Sequence, residues 1–212
     1  MNYDYIIIGG GISGIKAGHL LNKKSNILLL EKNNRLGGRI YTIKNGKEYI
    51  ELGAKWIRTN KKKQTIIHKT RRASNLVDYY TQLGFSKQQI EDINLKEAEN
   101  YGEHLNKLGL SNLYFDEYEE TMVKNSYYNK IHKLIDFTYI LNTPVTKIRK
   151  FKNRLYIIND VYITKSIIFA IPLTILKNNF SHLLPIWKNK ILRKMKMGKM
   201  ISVALLFKTK WW

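Results

Sequence analysis

Tyr3-Asp4-Tyr5-Ile6-Ile7-Ile8-Gly9-Gly10-Gly11-Ile12-Ser13-Gly14 decides the fold. Its first half is a short aromatic and β-branched run, the composition of a buried strand. The run stops at three glycines, after which Ile12, Ile15, Leu20 and Leu21 recur at helical spacing. Residues 26–30 form a second apolar run, closed by Glu31. Strand, glycine turn, helix, strand and acid in that order predict a βαβ unit that holds a dinucleotide. Gly9 permits the tight turn, Gly11 lets the backbone approach a pyrophosphate, and Gly14 lets the helix pack closely on the strand. The helix start offers free N–H groups and the positive end of a dipole to the phosphates. Glu31 lies 22 residues after Gly9, where a carboxylate accepts hydrogen bonds from ribose hydroxyls.

The following residues extend the pattern. Arg35-Leu36-Gly37-Gly38-Arg39 pairs two glycines, which let the backbone pass close to a ligand, with an arginine suited to phosphate charge. Asn45-Gly46 between residues 40–44 and 47–52 predicts a hairpin. Glu51-Leu52-Gly53-Ala54-Lys55-Trp56-Ile57 follows.

Together these motifs resemble the flavin-containing amine oxidase family, which includes monoamine oxidases, polyamine oxidases and flavin-dependent histone demethylases. Phytoene desaturases and protoporphyrinogen oxidases share the first motifs, but Glu-Leu-Gly-Ala-x-Trp-Ile is more typical of amine oxidases. The resemblance implies FAD as cofactor. It implies that Gly9, Gly11 and Gly14 line the pyrophosphate and that Glu31 binds the adenosine ribose. It sets Arg39 near the phosphates and Gly53, Ala54 and Trp56 near the flavin end.

Downstream, Ser86-Lys87-Gln88-Gln89 predicts a capping box, with Ile90, Ile93 and Leu105 continuing a helical stripe. Tyr127, Tyr128, Ile131, Leu134 and Ile135 predict another short helix from Ser126, where the family usually has a glycine pair. Residues 140–171 read as strands, with 143–148, 155–158 and 166–170 separated by Asn, Asp and Lys turns. Ile171-Pro172-Leu173 then opens a short helix. The order Asn-Thr-Pro-Val-Thr-Lys-Ile, meander, Ala-Ile-Pro-Leu also resembles the amine oxidases. By that resemblance Val145 offers its backbone to the adenine, and residues 201–207 form the next strand, at the floor of the substrate cavity.

Two departures from the family bear on chemistry. Many members carry a lysine in that strand, five residues before an aromatic, where it holds a water near the flavin. Counting back from Phe207 gives Ser202, with Lys199 three residues earlier. No residue here stands out as a general base. The chain also ends at Trp212, before the family's Gly-Glu-Ala-Thr-like motif and substrate-flanking aromatic pair. The expectation is a front portion of a typical member.

Composition narrows the classes. The 212 residues include no cysteine, which removes disulfides, thiolate nucleophiles and Cys-ligated metals. The five histidines show no metal-ligand spacing, so no metal is expected. Hydrophobic residues at 44% exclude wholesale disorder. The formal net charge of +21 is uneven. Residues 1–77 carry 16 basic and 4 acidic side chains, residues 78–120 carry 3 and 10, and residues 121–212 carry 18 and 2. Such a field attracts polyanions, but Lys, Asn, Ile and Tyr are abundant throughout, so general composition explains it better than a nucleic-acid surface. The basic run at 58–72 is expected as a solvated loop and helix face. No signal peptide or membrane span is read, so an intracellular, cytoplasmic protein is expected.

The expected architecture is α/β: a Rossmann-like FAD/NAD(P)-binding domain with an inserted, partly helical and incomplete substrate domain. Residues 1–75 and 141–178 are assigned to the FAD-binding domain, 76–140 to the helical segment, and 179–212 to the start of a substrate-domain sheet. The activity implied by the resemblance is oxidation of an amine C–N bond to an imine with oxygen as acceptor. One alternative is a truncated or split homologue inactive alone, whose site a second polypeptide completes. The other is a C–C desaturase or porphyrinogen-oxidase-like enzyme.

Overall fold

The computed structural model describes residues 2–54, 56–63, 75–101, 104, 106, 116–122 and 126–209. In chain order the elements are β1 (Asn2–Ile8), α1 (Ile12–Leu21), β2 (Ile27–Leu30), β3 (Thr42–Asn45), β4 (Glu48–Glu51), β5 (Trp56–Lys63), α2 (Leu76–Gln82) and α3 (Lys87–Tyr101). There follow β6 (Asp116–Met122), α4 (Tyr127–His132), β7 (Tyr139–Ile140), β8 (Ile148–Lys150), β9 (Tyr156–Ile158), β10 (Tyr162–Phe169), α5 (Leu173–Ile175) and α6 (Ile186–Lys194). They divide into two compact units. The first takes Met1–Lys55, Val123–Lys196 and Ala204–Trp212, and the second takes Trp56–Met122 and Met197–Val203.

The first unit is built on a six-stranded sheet in the order β7-β2-β1-β10-β9-β8. The four strands β7, β2, β1 and β10 run parallel, and β10, β9 and β8 continue as an antiparallel meander. A parallel sheet is covered on both faces, which is why Ile6–Ile8 of β1 and the whole of β2 are continuous apolar runs. Alternation along the strands divides the core. Ile7 and Leu29 pack with Ile15 of α1 and Phe137 on one face. Ile6, Ile8, Leu28 and Leu30 pack with Ile158 and Phe180 on the other. Ile6, Ile7, Leu28 and Leu29 are wholly inaccessible, and burying each such side chain contributes about 1.5–3 kcal/mol.

Local signals set the surrounding elements. The Asn45-Gly46 hairpin forms as read, with Gly46 at φ 59° and Asn45 opposite Glu48. Ser126 caps α4, its Oγ accepting the Asn129 amide at 3.1 Å. Thr42 and Glu51 of the hairpin reach the same helix end: Glu51 Oε1 accepts the Tyr127 amide at 2.7 Å, and Thr42 Oγ1 donates to Glu51 Oε2 at 2.9 Å. Pro172 precedes α5, which runs on through one π-type turn at Leu176–Phe180.

The second unit pairs β5 with β6 antiparallel and packs α2 and α3 around Leu76 and Ile90. Asn75 caps α2 by accepting the Asp78 amide, and the Ser86–Gln89 capping box opens α3 with reciprocal bonds of 2.9 and 3.2 Å.

Three expectations differ from the structure. The basic run at 58–63 is strand, not loop or helix face: its register sets Arg58 opposite Glu120, Lys62 opposite Glu117 and Lys63 opposite Asp116. The cause is pairing with the distant segment 116–122, β6; residues 64–72 lie outside the described residues. Residues 143–147 are irregular, and the strand begins only at Ile148, because side chains rather than a neighbouring strand take the amides of Thr146 and Lys147. Residues 201–207 form no strand. A strand exists only where its backbone pairs with another, and no described strand lies in register with this run. Among the described residues no helix is long and apolar enough to cross a membrane.

Candidate functional site

The parallel strands β1, β2 and β10 end on one edge, and the chain leaves each of them into a loop. The open crevice beyond the carboxyl ends of such strands is where α/β sheets take ligands. Gly9-Gly10-Gly11 leaves β1 there and enters α1 with Gly11 as its N-cap. Gly9 holds φ 104°, a conformation that L side chains rarely adopt, and a Cβ on it would stand 2.6 Å from the Ala170 carbonyl oxygen. A Cβ on Gly14 would stand 2.0 Å from the Gly9 oxygen. These two glycines are required by packing. Gly11 is different: a Cβ there would meet nothing within 4 Å. It faces open space at the start of α1, which has no side-chain cap and no acid in its first turn. The first amides of a helix have no partner within it, which suits this turn to an external anionic acceptor.

Glu31 follows β2 and is only 6% exposed. Its Oε2 accepts the Gly10 amide at 2.6 Å and its Oε1 accepts the Asn33 amide at 2.9 Å. The carboxylate ties the end of β2 to the glycine turn and retains further lone pairs.

The Gly37-Gly38 loop docks on the same turn. Gly37 donates its amide to the Gly10 carbonyl at 2.7 Å and bridges Gly11. A Cβ on Gly38 would stand 3.1 Å from Gly11 Cα. Arg35 shapes this loop from within: Nη1 donates to Leu36 O and Ile40 O at 3.2 and 3.1 Å, and Nη2 donates to Gly38 O at 2.9 Å. Its guanidinium lies 4.0 Å from the Tyr41 ring centre, an attractive cation–π distance. Arg39 is exposed beside it. The Arg39 carbonyl accepts the Ala54 amide at 3.2 Å and would meet any Cβ on Gly53 at 1.8 Å, so Gly53 and Ala54 join the loop.

Val145 reaches the site from another part of the sequence. Thr143 donates its amide to Glu31 O at 2.8 Å and Asn142 to Asn33 O at 3.0 Å, which fastens residues 142–145 beside the end of β2. The half-buried Val145 packs on the core of Ile8 and Leu30. The first unit thus brings together Gly9, Gly11, Gly14, Glu31, Arg39, Gly53, Ala54 and Val145. Trp56 heads β5 in the second unit. Ser202 and Lys199 are exposed on the irregular run after α6. Sequence reading missed the contributions of Gly10, Asn33, Arg35 and Thr143. Arg35 could have been found, since a guanidinium two residues before paired glycines has backbone carbonyls within reach. The other three act through backbone groups and leave no side-chain signal. Among the described residues no cluster of three or more His, Asp or Glu is suited to a metal ion.

This arrangement of glycine turn, helix start, buried acid and docked second glycine loop defines a dinucleotide-binding domain of Rossmann type. Residues 7–80 match the NAD(P)-binding Rossmann-like domain, and residues 112–212 match the flavin containing amine oxidoreductase family. The chain is thus similar to the flavin-containing amine oxidases, a family that uses FAD. It is 45% identical over 56 residues to amine oxidase [flavin-containing] A of Sus scrofa, covering 26% of this chain and 11% of that protein. It is 41% identical over 58 residues to pseudooxynicotine dehydrogenase of a Pseudomonas species, covering 27% of this chain and 12% of that protein. Among solved structures it superposes on a redesigned putrescine oxidase with a TM-score of 0.64 at 12% identity. That superposition covers 93% of this chain and 64% of the other, so the likeness is one of fold, and the chain spans less than two thirds of that relative.

Proposed function

We propose that the chain binds FAD on the edge formed by β1, β2 and β10 and serves oxidation of a small-molecule amine. The observation that carries the reading is the open space at Gly11 between a glycine turn and a helix start, with the buried Glu31 carboxylate holding Gly10. In this reading Gly9, Gly11 and Gly14 shape the pyrophosphate cradle, and the first-turn amides of α1 donate to the phosphates. Glu31 accepts from the ribose while bracing the turn. Arg39 neutralises phosphate charge from the exposed rim. Val145 presents its peptide to the adenine. Gly53 and Ala54 lie toward the flavin end, a role that the sequence resemblance also assigns to Trp56. Bound FAD would supply the two-electron acceptor that turns the C–N bond of a neutral amine into an imine, with oxygen as final acceptor. The residues named here bind and orient. A second polypeptide or further segment completing the substrate side belongs to the same reading, supported by the exposure of Ile201, Val203 and Leu205 at 89, 76 and 73%.

The deciding experiment is the visible absorption spectrum of the purified chain. Two flavin bands, with near-stoichiometric FAD released on denaturation, are expected. A colourless protein that takes up no added FAD would overturn the cofactor reading. Amine-dependent peroxide then separates C–N from C–C oxidation.

A further inference from the structure

We propose that Asn159 is a positioning residue for the adenine end of this site, holding residues 144–147 so that the Val145 peptide stands ready for the base. The inference rests on the FAD reading above and names a residue that does not touch the ligand.

Residues 143–147 lie outside the strands, yet their backbone is well partnered. Asn159 Oδ1 accepts the amides of Thr146 and Lys147 at 3.0 and 3.2 Å, and its Nδ2 donates to the Pro144 carbonyl at 2.8 Å. The Asn159 amide itself donates to the Lys147 carbonyl at 2.9 Å. One side chain therefore grips the backbone on both sides of Val145. The grip takes the Pro144 carbonyl and the Thr146 and Lys147 amides and leaves the Val145 N–H and C=O outside it. At its other end the segment is fastened to Glu31 O by the Thr143 amide, and the Val145 side chain is anchored in the core. A peptide fixed from both ends offers one donor and one acceptor in a set relation. Adenine presents the complementary pair, the N1 acceptor and the N6 amino donor, on one edge.

The turn does not by itself call for asparagine. Asn159 and Asp160 link β9 to β10 with φ of 50° and 57°, the left-handed pair of a tight hairpin. Glycine fits that conformation better than any other residue. What asparagine adds is the amide that reaches back to 144–147. Asp160 in the same turn faces outward, pairing with Lys147 at 2.8 Å and with Arg149.

Asn159→Gly is the test, because it keeps the turn and removes only the grip. In the full chain we expect an unchanged thermal midpoint, faster hydrogen exchange at the Thr146 and Lys147 amides, and an FAD dissociation constant raised about tenfold. We also expect wild type to prefer FAD over its hypoxanthine analogue, which has oxygen in place of the N6 amine, and Asn159→Gly to lose most of that preference. A merely structural role would not change the preference. Asp160→Gly, which alters the same turn without the grip, should leave FAD affinity within about threefold, because exposed ion pairs contribute little. Faster exchange at both amides with unchanged FAD affinity and unchanged base preference would overturn the inference alone. Failure of wild type to bind FAD would overturn the cofactor reading beneath it.

Discussion

Glu31 Oε2 lies 2.6 Å from the amide nitrogen of Gly10, so the acid that ends β2 also holds the turn that ends β1. A nearly buried carboxylate accepting a backbone amide makes a charge-assisted bond, stronger than a neutral one. Glu31→Gln replaces one acceptor oxygen by a donor and removes the charge. The expected cost is about 1.5–3 kcal/mol of unfolding free energy, measured by urea denaturation, together with weaker FAD binding. A variant as stable as wild type would show that the bond contributes nothing to folding.

Gly11 and Gly14 should respond oppositely to alanine. At Gly14 the new Cβ would lie 2.0 Å from a backbone oxygen, so Gly14→Ala is expected to lose about 3 kcal/mol or more, or to fail to fold. At Gly11 the Cβ enters open space and φ of −73° suits alanine. Stability of Gly11→Ala should stay within about 1 kcal/mol of wild type while FAD affinity falls at least about tenfold. Paired denaturation and flavin-binding titrations check both.

Arg35→Lys keeps the charge and loses the fork. One ammonium cannot reach the three carbonyls of Leu36, Gly38 and Ile40 and also lie flat on Tyr41. We expect a loss of about 1–3 kcal/mol and faster hydrogen exchange at Gly37, whose amide bonds to Gly10 O. Stability equal to wild type would show the fork to be dispensable.

Acid should weaken the first unit through two surface aspartates. The Lys165 ammonium, with the Asn26 amide, holds the Asp4 carboxyl below its usual 3.8, and Lys147 and then Arg149 do the same for Asp160. A carboxyl lowered in the folded state stabilises fully above its unfolded value, about 3.9, and the contribution is lost as pH falls through the folded value. Lys165 is raised by Asp4, so its share persists below about 10.4 and is lost as pH rises through the folded value. The melting temperature should stay level from about pH 5 to 8 and drop below about pH 4. The double variant Asp4→Asn, Asp160→Asn should show a shallower acid drop, as should wild type in high salt.

Legibility in the sequence followed locality. β1, the glycine turn, α1 and β2 were readable because strand, turn and helix signals fall within about 30 residues. The caps at Ser86 and Ser126 were readable for the same reason, each being a side chain bonding three residues ahead. β5 was not, since the strand opposite it lies beyond α3 and both segments look merely charged. Residues 143–147 have strand composition, but Asn159 takes their amides. Glu31, Arg39 and the glycines were legible as candidates from spacing, and all of them lie in the first unit. Gly10, Asn33, Asn142 and Thr143 were not, because they act through backbone groups, which have no letter in a sequence.

The placement of β1 between β2 and β10 has a consequence for synthesis. Its neighbour β2 follows within a few tens of residues, but its other neighbour begins at Tyr162, with Asn2 opposite Ile163. At about 5–20 residues per second a ribosome needs on the order of 10–30 s to deliver that strand. Throughout that interval one side of Ile6-Ile7-Ile8 is an apolar, hydrogen-bonding edge exposed to every other nascent chain in reach. Holding that edge apart until residue 169 has emerged is a task for chaperones that meet nascent chains, and slow codons before β10 would lengthen it.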